Sequence, residues 1–305
     1  MAARLLVCDW GSTHLRAWAL DARGAVVSHA QFPFGVNVIP NGAAPRCFRD
    51  DVRPQLGAEH LPALFCGAIG SNVGWRAVPY VDCPAGIADV AAGLAEVDAQ
   101  VWIAPGLRCQ GPVGVDVLRG EETKALGWVG LDPSRAEGRH LVCEPGTHPK
   151  WLEIQDGRVT RFLSAFTGEL YAVLSSASIL RSDGEVRDLA IFDAGLGAAE
   201  DGDALLNRIY TARSRVAGAG AEQATTGSYL SGVLIGAETA ATPRLLGLEG
   251  TPVVLLGEDP LRSLYARALA RRRVATTLAE GEAAALAGLT AIARLRGLLG
   301  GPVLV

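Results

Sequence analysis

The sequence predicts an α/β protein of two domains, each built on a mixed sheet. Three observations carry that expectation. The string "LVCDWGSTHLRAW" (Leu6 to Trp18) is echoed far downstream by "LVCEPGTHPKW" (Leu141 to Trp151), and each string opens a run of three strand-like segments. An internal repeat of this size points to duplication and two similar domains. Beyond the repeats, helical and strand-like segments alternate, the pattern of an α/β sheet. Finally, 305 residues exceed what one core usually holds, which favours two domains.

The elements follow in order. "RLLVCD" reads as a buried strand, "WGST" as a tight turn, "LRAWALD" as an alternating strand and "AVVSHAQF" as a third strand after the turn "ARG". "ALFCGAIGS" and "QVWIAPGL" read as short buried strands ending in glycine. Two stretches rich in Pro and Gly, "PNGAAP" and "RCQGPVGV", read as surface loops. "GEETKALGWVGL" has helical spacing and leads to the second meander, "HLVCE", "KWLEI" and "VTRFLSA", with turns at "PGTH" and "QDGR". Helical spacing returns in "GELYAVLSSASILRS", "DALLNRIYTARSRVA", "GSYLSGVLIGAETA", "DPLRSLYARALARRR" and "EGEAAALAGLTAIARLRGLL". "TPVVLL" and "RVATTLA" are strands among the last of these. The domain boundary is expected at Gly120, giving residues 1–120 and 121–305.

Composition narrows the classes. The chain is 49% hydrophobic and 20% charged, so it can bury large cores. A formal net charge of −4 argues against coating nucleic acid or lying on a membrane surface. No leader peptide and no apolar stretch long enough to span a bilayer is visible, which points to a cytoplasmic protein. The six cysteines include no CxxC pair and no attendant His cluster, so they read as reduced core thiols and not as a zinc site or a disulfide framework.

The repeated turns suggest chemistry. A Gly-Ser/Thr hairpin tip after a buried strand presents backbone N–H groups and a hydroxyl, and glycine lets that backbone approach a phosphate. Asp9, at the mouth of the first tip, is suited to hold a hydrated Mg²⁺, which usually takes only one or two protein carboxylates. Two tips, one per domain, are expected to grip one polyphosphate. Each tip alone is equally ordinary turn chemistry.

Those residues also carry a resemblance. "DWGSTHLRAW" and "PGTHPKW" resemble the two phosphate loops of the acetate and sugar kinase/heat-shock chaperone/actin superfamily. "GAIGSNVGWRAVPYVDCPAG", "DVLRGEETKALG", "EPGTHPKW", "FTGELYAVL", "YLSGVLIGAE" and "LLGEDPLRSLYARAL" are similar to successive blocks of the 2-dehydro-3-deoxygalactonokinase family. Ala68, Leu118 and Phe166 replace methionines expected in that pattern, and Pro149 stands where a small or polar residue is frequent. The resemblance implies two ribonuclease-H-like domains with an interdomain nucleotide cleft, the actin-like ATPase fold. It implies the first phosphate loop and substrate pocket in residues 1–120, and the second loop and adenosine site in 121–305. The implied reaction is transfer of a phosphoryl group from ATP, with Mg²⁺, to the 6-hydroxyl of 2-dehydro-3-deoxy-D-galactonate.

Site roles follow from that frame. The nucleotide side takes Gly11, Ser12 and Thr13 from the first tip, and Gly146, Thr147 and His148 from the second. Lys150 adds charge there or is a solvated strand residue. Gly236 touches nucleotide or packs helix on helix; Gly257 passes under the adenosine, with Asp259 as helix N-cap the alternative. Asp9 holds the metal. The substrate carboxylate calls for cations and amides, offered by Ser71, Asn72 and Arg76, with Trp75 walling the sugar chain and Arg16 and Arg119 as rival cations. Tyr80 and Thr167 are weaker candidates. Glu121 is the expected general base, with Glu122 and Asp116 as neighbours; acids in a first turn also simply complement the helix dipole. The rival readings are another sugar or sugar-acid kinase of the superfamily, and a non-enzymatic nucleotide switch. The expected partner is a small molecule, and a homodimer stays open.

Overall fold

The computed structural model describes residues 2–300. In chain order its strands and helices begin with the meander β1 (Leu5–Trp10), β2 (Leu15–Leu20) and β3 (Val26–Phe32). Two helical turns follow, α1 (Ala44–Cys47) and α2 (Arg53–Gln55). Next come β4 (Ala63–Cys66), β5 (Val81–Asp82), α3 (Ile87–Ala92), β6 (Ala95–Asp98), β7 (Val101–Ile103), β8 (Leu107–Gly111), β9 (Gly114–Leu118) and α4 (Glu121–Gly130). The second meander is β10 (Arg139–Glu144), β11 (Lys150–Gln155) and β12 (Arg158–Ser164). Behind it run α5 (Thr167–Ala177), α6 (Leu189–Ala198), α7 (Leu205–Ala219), α8 (Thr226–Leu245), β13 (Val253–Gly257), α9 (Leu261–Arg271), β14 (Thr276–Glu280) and α10 (Gly281–Leu295).

The duplication is visible in the sheets. Besides a small sheet β5-β8-β9, one large sheet has the order β3-β2-β1-β4-β7-β6 and a second β12-β11-β10-β13-β14. In both, the meander places its first strand innermost, and the next long buried strand joins it: β4 runs parallel to β1, and β13 parallel to β10. Leu6, Cys8, Phe65 and Ile103 build the core of the first sheet; Leu141, Cys143, Trp151 and Leu255 build that of the second. All six cysteines are free, and no described helix is long and apolar enough to cross a membrane.

By contacts the described chain divides into two compact units, residues 2–139, 153–161 and 280–300, and residues 140–152 and 162–279. That division differs from the boundary expected at Gly120. Helix α4 goes with the first unit because it packs on α10 backbone to backbone: a Cβ on Gly127 would stand 2.0 Å from the carbonyl oxygen of Ala284. An equally close crossing joins α6 to α8 in the second unit, where a Cβ on Gly232 would stand 2.1 Å from the carbonyl oxygen of Phe192.

Two local expectations are corrected. "RCQGPVGV" is not a loop but most of the β8–β9 hairpin, in which Leu107 and Cys109 are buried while Arg108 and Gln110 are exposed. "PNGAAP" is a loop only as far as Ala43, since α1 begins at Ala44 with Pro45 in its first turn, where a missing N–H does no harm.

Candidate active site

In the first unit Asp9 lies at the end of β1 opposite Cys66, the last residue of β4, and ligands of open α/β sheets bind at such strand ends. Asp9 stands opposite Arg16 in the β1–β2 register, its Oδ2 4.0 Å from the Arg16 guanidinium. The Cys66 thiol at the end of β4 lies 3.7 Å from Asp9 Oδ1, and burial pushes its pKa well up, so it stays a neutral donor. Arg16 therefore sits beside Asp9 at the end of β1.

The first tip is tighter than its sequence suggests. Gly11 N–H donates to the His14 carbonyl at 3.0 Å, so this amide serves the turn itself. Val36 and Asn37 donate in turn to the carbonyls of Gly11 and Ser12 at 3.0 and 3.1 Å. Gly35 makes that approach achievable, since a Cβ there would stand 2.2 Å from the Ser12 carbonyl carbon. Thr13 is exposed, with its hydroxyl 3.1 Å from His14 Nδ1.

Two glycines in left-handed backbone shape the rest of this half, Gly67 at φ +96° and Gly120 at φ +105°. Gly120 leads directly into α4. There the two adjacent acids part company. Glu122 is fully buried, accepting from Gly120 N–H at 2.6 Å and from the Thr123 hydroxyl at 2.7 Å, and burial lifts its pKa to about 7. Glu121 is only partly buried and accepts from the Arg119 N–H at 3.0 Å. Asp116 lies on β9, where its carboxylate accepts from the Val117 N–H at 2.7 Å.

Arg119 is the most informative of the cations. Its guanidinium lies 4.4 Å from the centre of the Tyr80 ring and donates one hydrogen bond, to the Val78 carbonyl at 2.7 Å. Its buried Nε and Nη1 meet no acceptor. Tyr80, a weak candidate by sequence, thus acts on Arg119 through its ring face. Arg76 and Asn72 are exposed, and Ser71 Oγ accepts from the Val73 N–H at 3.4 Å. Trp75, expected to wall a sugar chain, packs on Phe48 and Phe65 at 5.9 and 5.8 Å and anchors its loop to the core.

The second unit carries the other tip. Gly168, at the start of α5, fits against it so closely that a Cβ would stand 2.4 Å from the Gly146 carbonyl oxygen. Glu169 N–H donates to the Thr147 carbonyl at 2.9 Å. His148 bonds through Nε2 to the Glu169 carboxylate and stacks on Phe166 with ring centres 5.5 Å apart. Lys150 is not a solvated strand residue: it is 6% exposed and its Nζ donates to the His148 carbonyl at 3.0 Å.

Beside this tip opens a cavity of about 710 Å³, lined among others by Gly146, Gly168, Ser231, Leu261, Leu264 and Tyr265. Its size and mainly apolar wall suit a nucleoside. Thr167, weighed by sequence as a substrate contact, lies on this wall too. Gly257 ends β13 next to Pro145, with a built Cβ 3.8 Å from that ring. Asp259 is no backbone N-cap; it receives the Ser263 hydroxyl and the Arg262 guanidinium, the latter at 3.1 Å, and these hold its pKa below the usual range. Gly236 faces the other way, its built Cβ 3.2 Å from Leu196 of α6, so its contact is packing and the α8 residues on the cavity are Ser231, Leu234 and Ile235.

Residues 9–292 match the family model described as 2-keto-3-deoxy-galactonokinase. The chain is 31% identical over 295 residues to the 2-dehydro-3-deoxygalactonokinase of Escherichia coli (strain K12), covering 96% of this chain and 98% of the relative. A solved structure assigned as a 2-dehydro-3-deoxygalactonokinase protein of Sinorhizobium meliloti superposes with a TM-score of 0.81 at 31% identity, covering 95% of this chain and 98% of that one. The activator of the 2-hydroxyisocaproyl-CoA dehydratase of Clostridium difficile, solved with bound ADPNP, is similar at a TM-score of 0.52 and 15% identity over 96% of each chain. That last likeness is one of fold, and the fold is the actin-like ATPase fold.

Proposed function

The chain belongs to the 2-keto-3-deoxy-galactonokinase family, and from that premise we propose that it transfers the γ-phosphoryl group of ATP to the 6-hydroxyl of 2-dehydro-3-deoxy-D-galactonate. The products are 2-dehydro-3-deoxy-6-phosphogalactonate and ADP, a step of galactonate catabolism. Phosphoryl transfer asks a protein mainly for positioning and charge neutralisation. In the nucleotide half, the 710 Å³ cavity takes the adenosine, and the tip of Gly146, Thr147 and His148 takes phosphate. Gly257, beside Pro145, lets the backbone pass under the adenosine.

In the acceptor half, the observation that carries the reading is Arg119. A guanidinium whose buried Nε and Nη1 meet no protein acceptor is costly unless something pairs with them. The carboxylate of a sugar acid is the partner that its forked donors fit. Glu121, close by at the start of α4, accepts the hydroxyl proton, whereas Glu122 is enclosed and supports the turn. Ser12 and Thr13 supply the phosphate-facing donors of the first tip. The Asp9 carboxylate, shielded and beside Arg16 and a neutral thiol, fits a hydrated Mg²⁺, which needs only one or two protein carboxylates. Bound there, Mg²⁺ would neutralise phosphate charge. The protein would act in the cytoplasm on a small molecule; sedimentation would test whether it does so as a homodimer.

A coupled assay for ADP with 2-dehydro-3-deoxygalactonate, ATP and Mg²⁺ tests this function. Phosphorylation of neutral sugars alone would sink the acceptor assignment. Slow ATP hydrolysis that no sugar acid stimulates would favour a nucleotide switch.

A further inference from the structure

Glu238 lies inside the second unit on α8, 6% exposed, outside both hairpin tips. Its carboxylate is shared among the elements around the nucleotide half. Oε1 accepts from the indole Nε1–H of Trp151 at 2.7 Å, and Oε2 accepts from the Tyr265 hydroxyl at 2.7 Å. The Thr167 hydroxyl is a third donor, and Lys150 contributes positive charge. Trp151 is in the strand that leaves the second tip, while Thr167 and Tyr265 both line the cavity.

An apolar side chain of similar volume would fill the interior of α8 without desolvating a charge, and such replacements are often neutral or stabilising. Packing alone therefore does not account for an acid at this position. What the acid does, and an apolar residue would not, is orient three donors on three separate elements. We propose that Glu238 is a positioning residue for ATP: it fixes Tyr265 and Thr167 in the cavity wall and holds Trp151 beneath the second tip. This rests on the assignment of that cavity to the nucleotide.

Three variants separate the outcomes. Tyr265→Phe keeps the ring and removes the hydroxyl that donates to Glu238 and also meets Thr167. Glu238→Leu removes every hydrogen bond to the carboxylate. Glu238→Gln keeps an acceptor for Trp151 and offers an amide donor to the Tyr265 oxygen. ATP affinity by calorimetry should weaken about fivefold in Tyr265→Phe and tenfold or more in Glu238→Leu, with Glu238→Gln within about threefold of the parent. The KM for the sugar acid should stay within about twofold throughout, a split that general loosening of the fold would not produce. Unchanged ATP affinity in Tyr265→Phe and Glu238→Leu overturns the proposal, as does an equal rise in both KM values. Should Glu238→Leu fail to fold, Tyr265→Phe and Thr167→Val decide by the same criteria. Ser263→Trp, at an exposed residue on the cavity rim, tests the cavity itself. If it leaves ATP affinity intact, the nucleotide assignment falls independently of Glu238.

Discussion

Gly67 and Gly120 meet backbone to backbone: a Cβ on Gly120 would stand 2.9 Å from the Gly67 Cα. Gly67 follows the strand that lies beside Asp9, and a Cβ on Gly67 would itself stand 3.3 Å from Asp9 Oδ1. Gly120 precedes Glu121. The contact thus sets the distance between the carboxylate proposed for the metal and the one proposed for the base.

Gly120→Ala strains a left-handed residue and forces the Gly67 backbone aside. A displacement of about 1 Å in a positioned group can slow a reaction ~100-fold. Turnover in the coupled assay should fall about 10- to 100-fold, with ATP affinity by calorimetry little changed. Turnover close to that of the parent would show that the two carboxylates are placed by something else.

Glu121→Gln removes the proposed proton acceptor while keeping its shape. Turnover should drop about 10²–10⁴-fold with ATP binding retained. Glu122→Gln should be much milder in the same assay, because its carboxylate faces the turn. The opposite ranking would move the base to Glu122, and two mild variants would turn attention to Asp116.

Glu122 also predicts a pH dependence of stability. Its folded value of about 7 lies above the ordinary 4.5, so the folded protein keeps a proton that the unfolded chain releases. Stability therefore falls as pH rises between those values, and the loss is complete above the folded pKa. Glu122→Gln carries no such proton. Denaturant titrations at pH 4.5 and 8 should show the wild type losing up to roughly 3 kcal/mol more than the variant over this range. Parallel profiles would mean that Glu122 is ionised when folded.

Arg119→Lys keeps the charge but loses the fork and the flat face that rests on Tyr80. The KM for the sugar acid should rise about 10-fold or more while the KM for ATP holds. Equal effects on both substrates would reassign Arg119 to the fold.

What the sequence makes legible is local chemistry. Leu-Val-Cys followed by a Gly-Ser/Thr tip marks both meanders, and both large sheets repeat the order of strands that these imply. The β8–β9 hairpin escapes notice because Pro112 and the flanking glycines resemble a loop, although Leu107 and Cys109 alternate with exposed neighbours. The fate of an arginine is decided by distant partners. Arg16 and Arg119 look alike in sequence, yet one faces Asp9 and the other lies on Tyr80. Glycines are similar: Gly236 and Gly257 both invite a nucleotide contact, and only the fold turns Gly236 toward α6. Gly35, Gly168 and Glu238 are invisible as site residues for the same reason, since what they touch is remote in the chain or depends on a close approach of backbones.

The two glycine-lined helix crossings set a limit on how this protein can be made more heat-resistant. Replacing glycine by alanine inside helices is a common route to a higher melting temperature, because it raises helix propensity and narrows the unfolded ensemble. At Gly127, Gly232 and Gly288 the added methyl would collide with a facing backbone within 2.0–2.1 Å, so consensus-style substitution there should unfold the protein. Gly218 in α7 has nothing within 4 Å of a built Cβ. Gly218→Ala should raise stability by about 0.5–1 kcal/mol, measured by chemical denaturation, and leave the kinase assay unchanged.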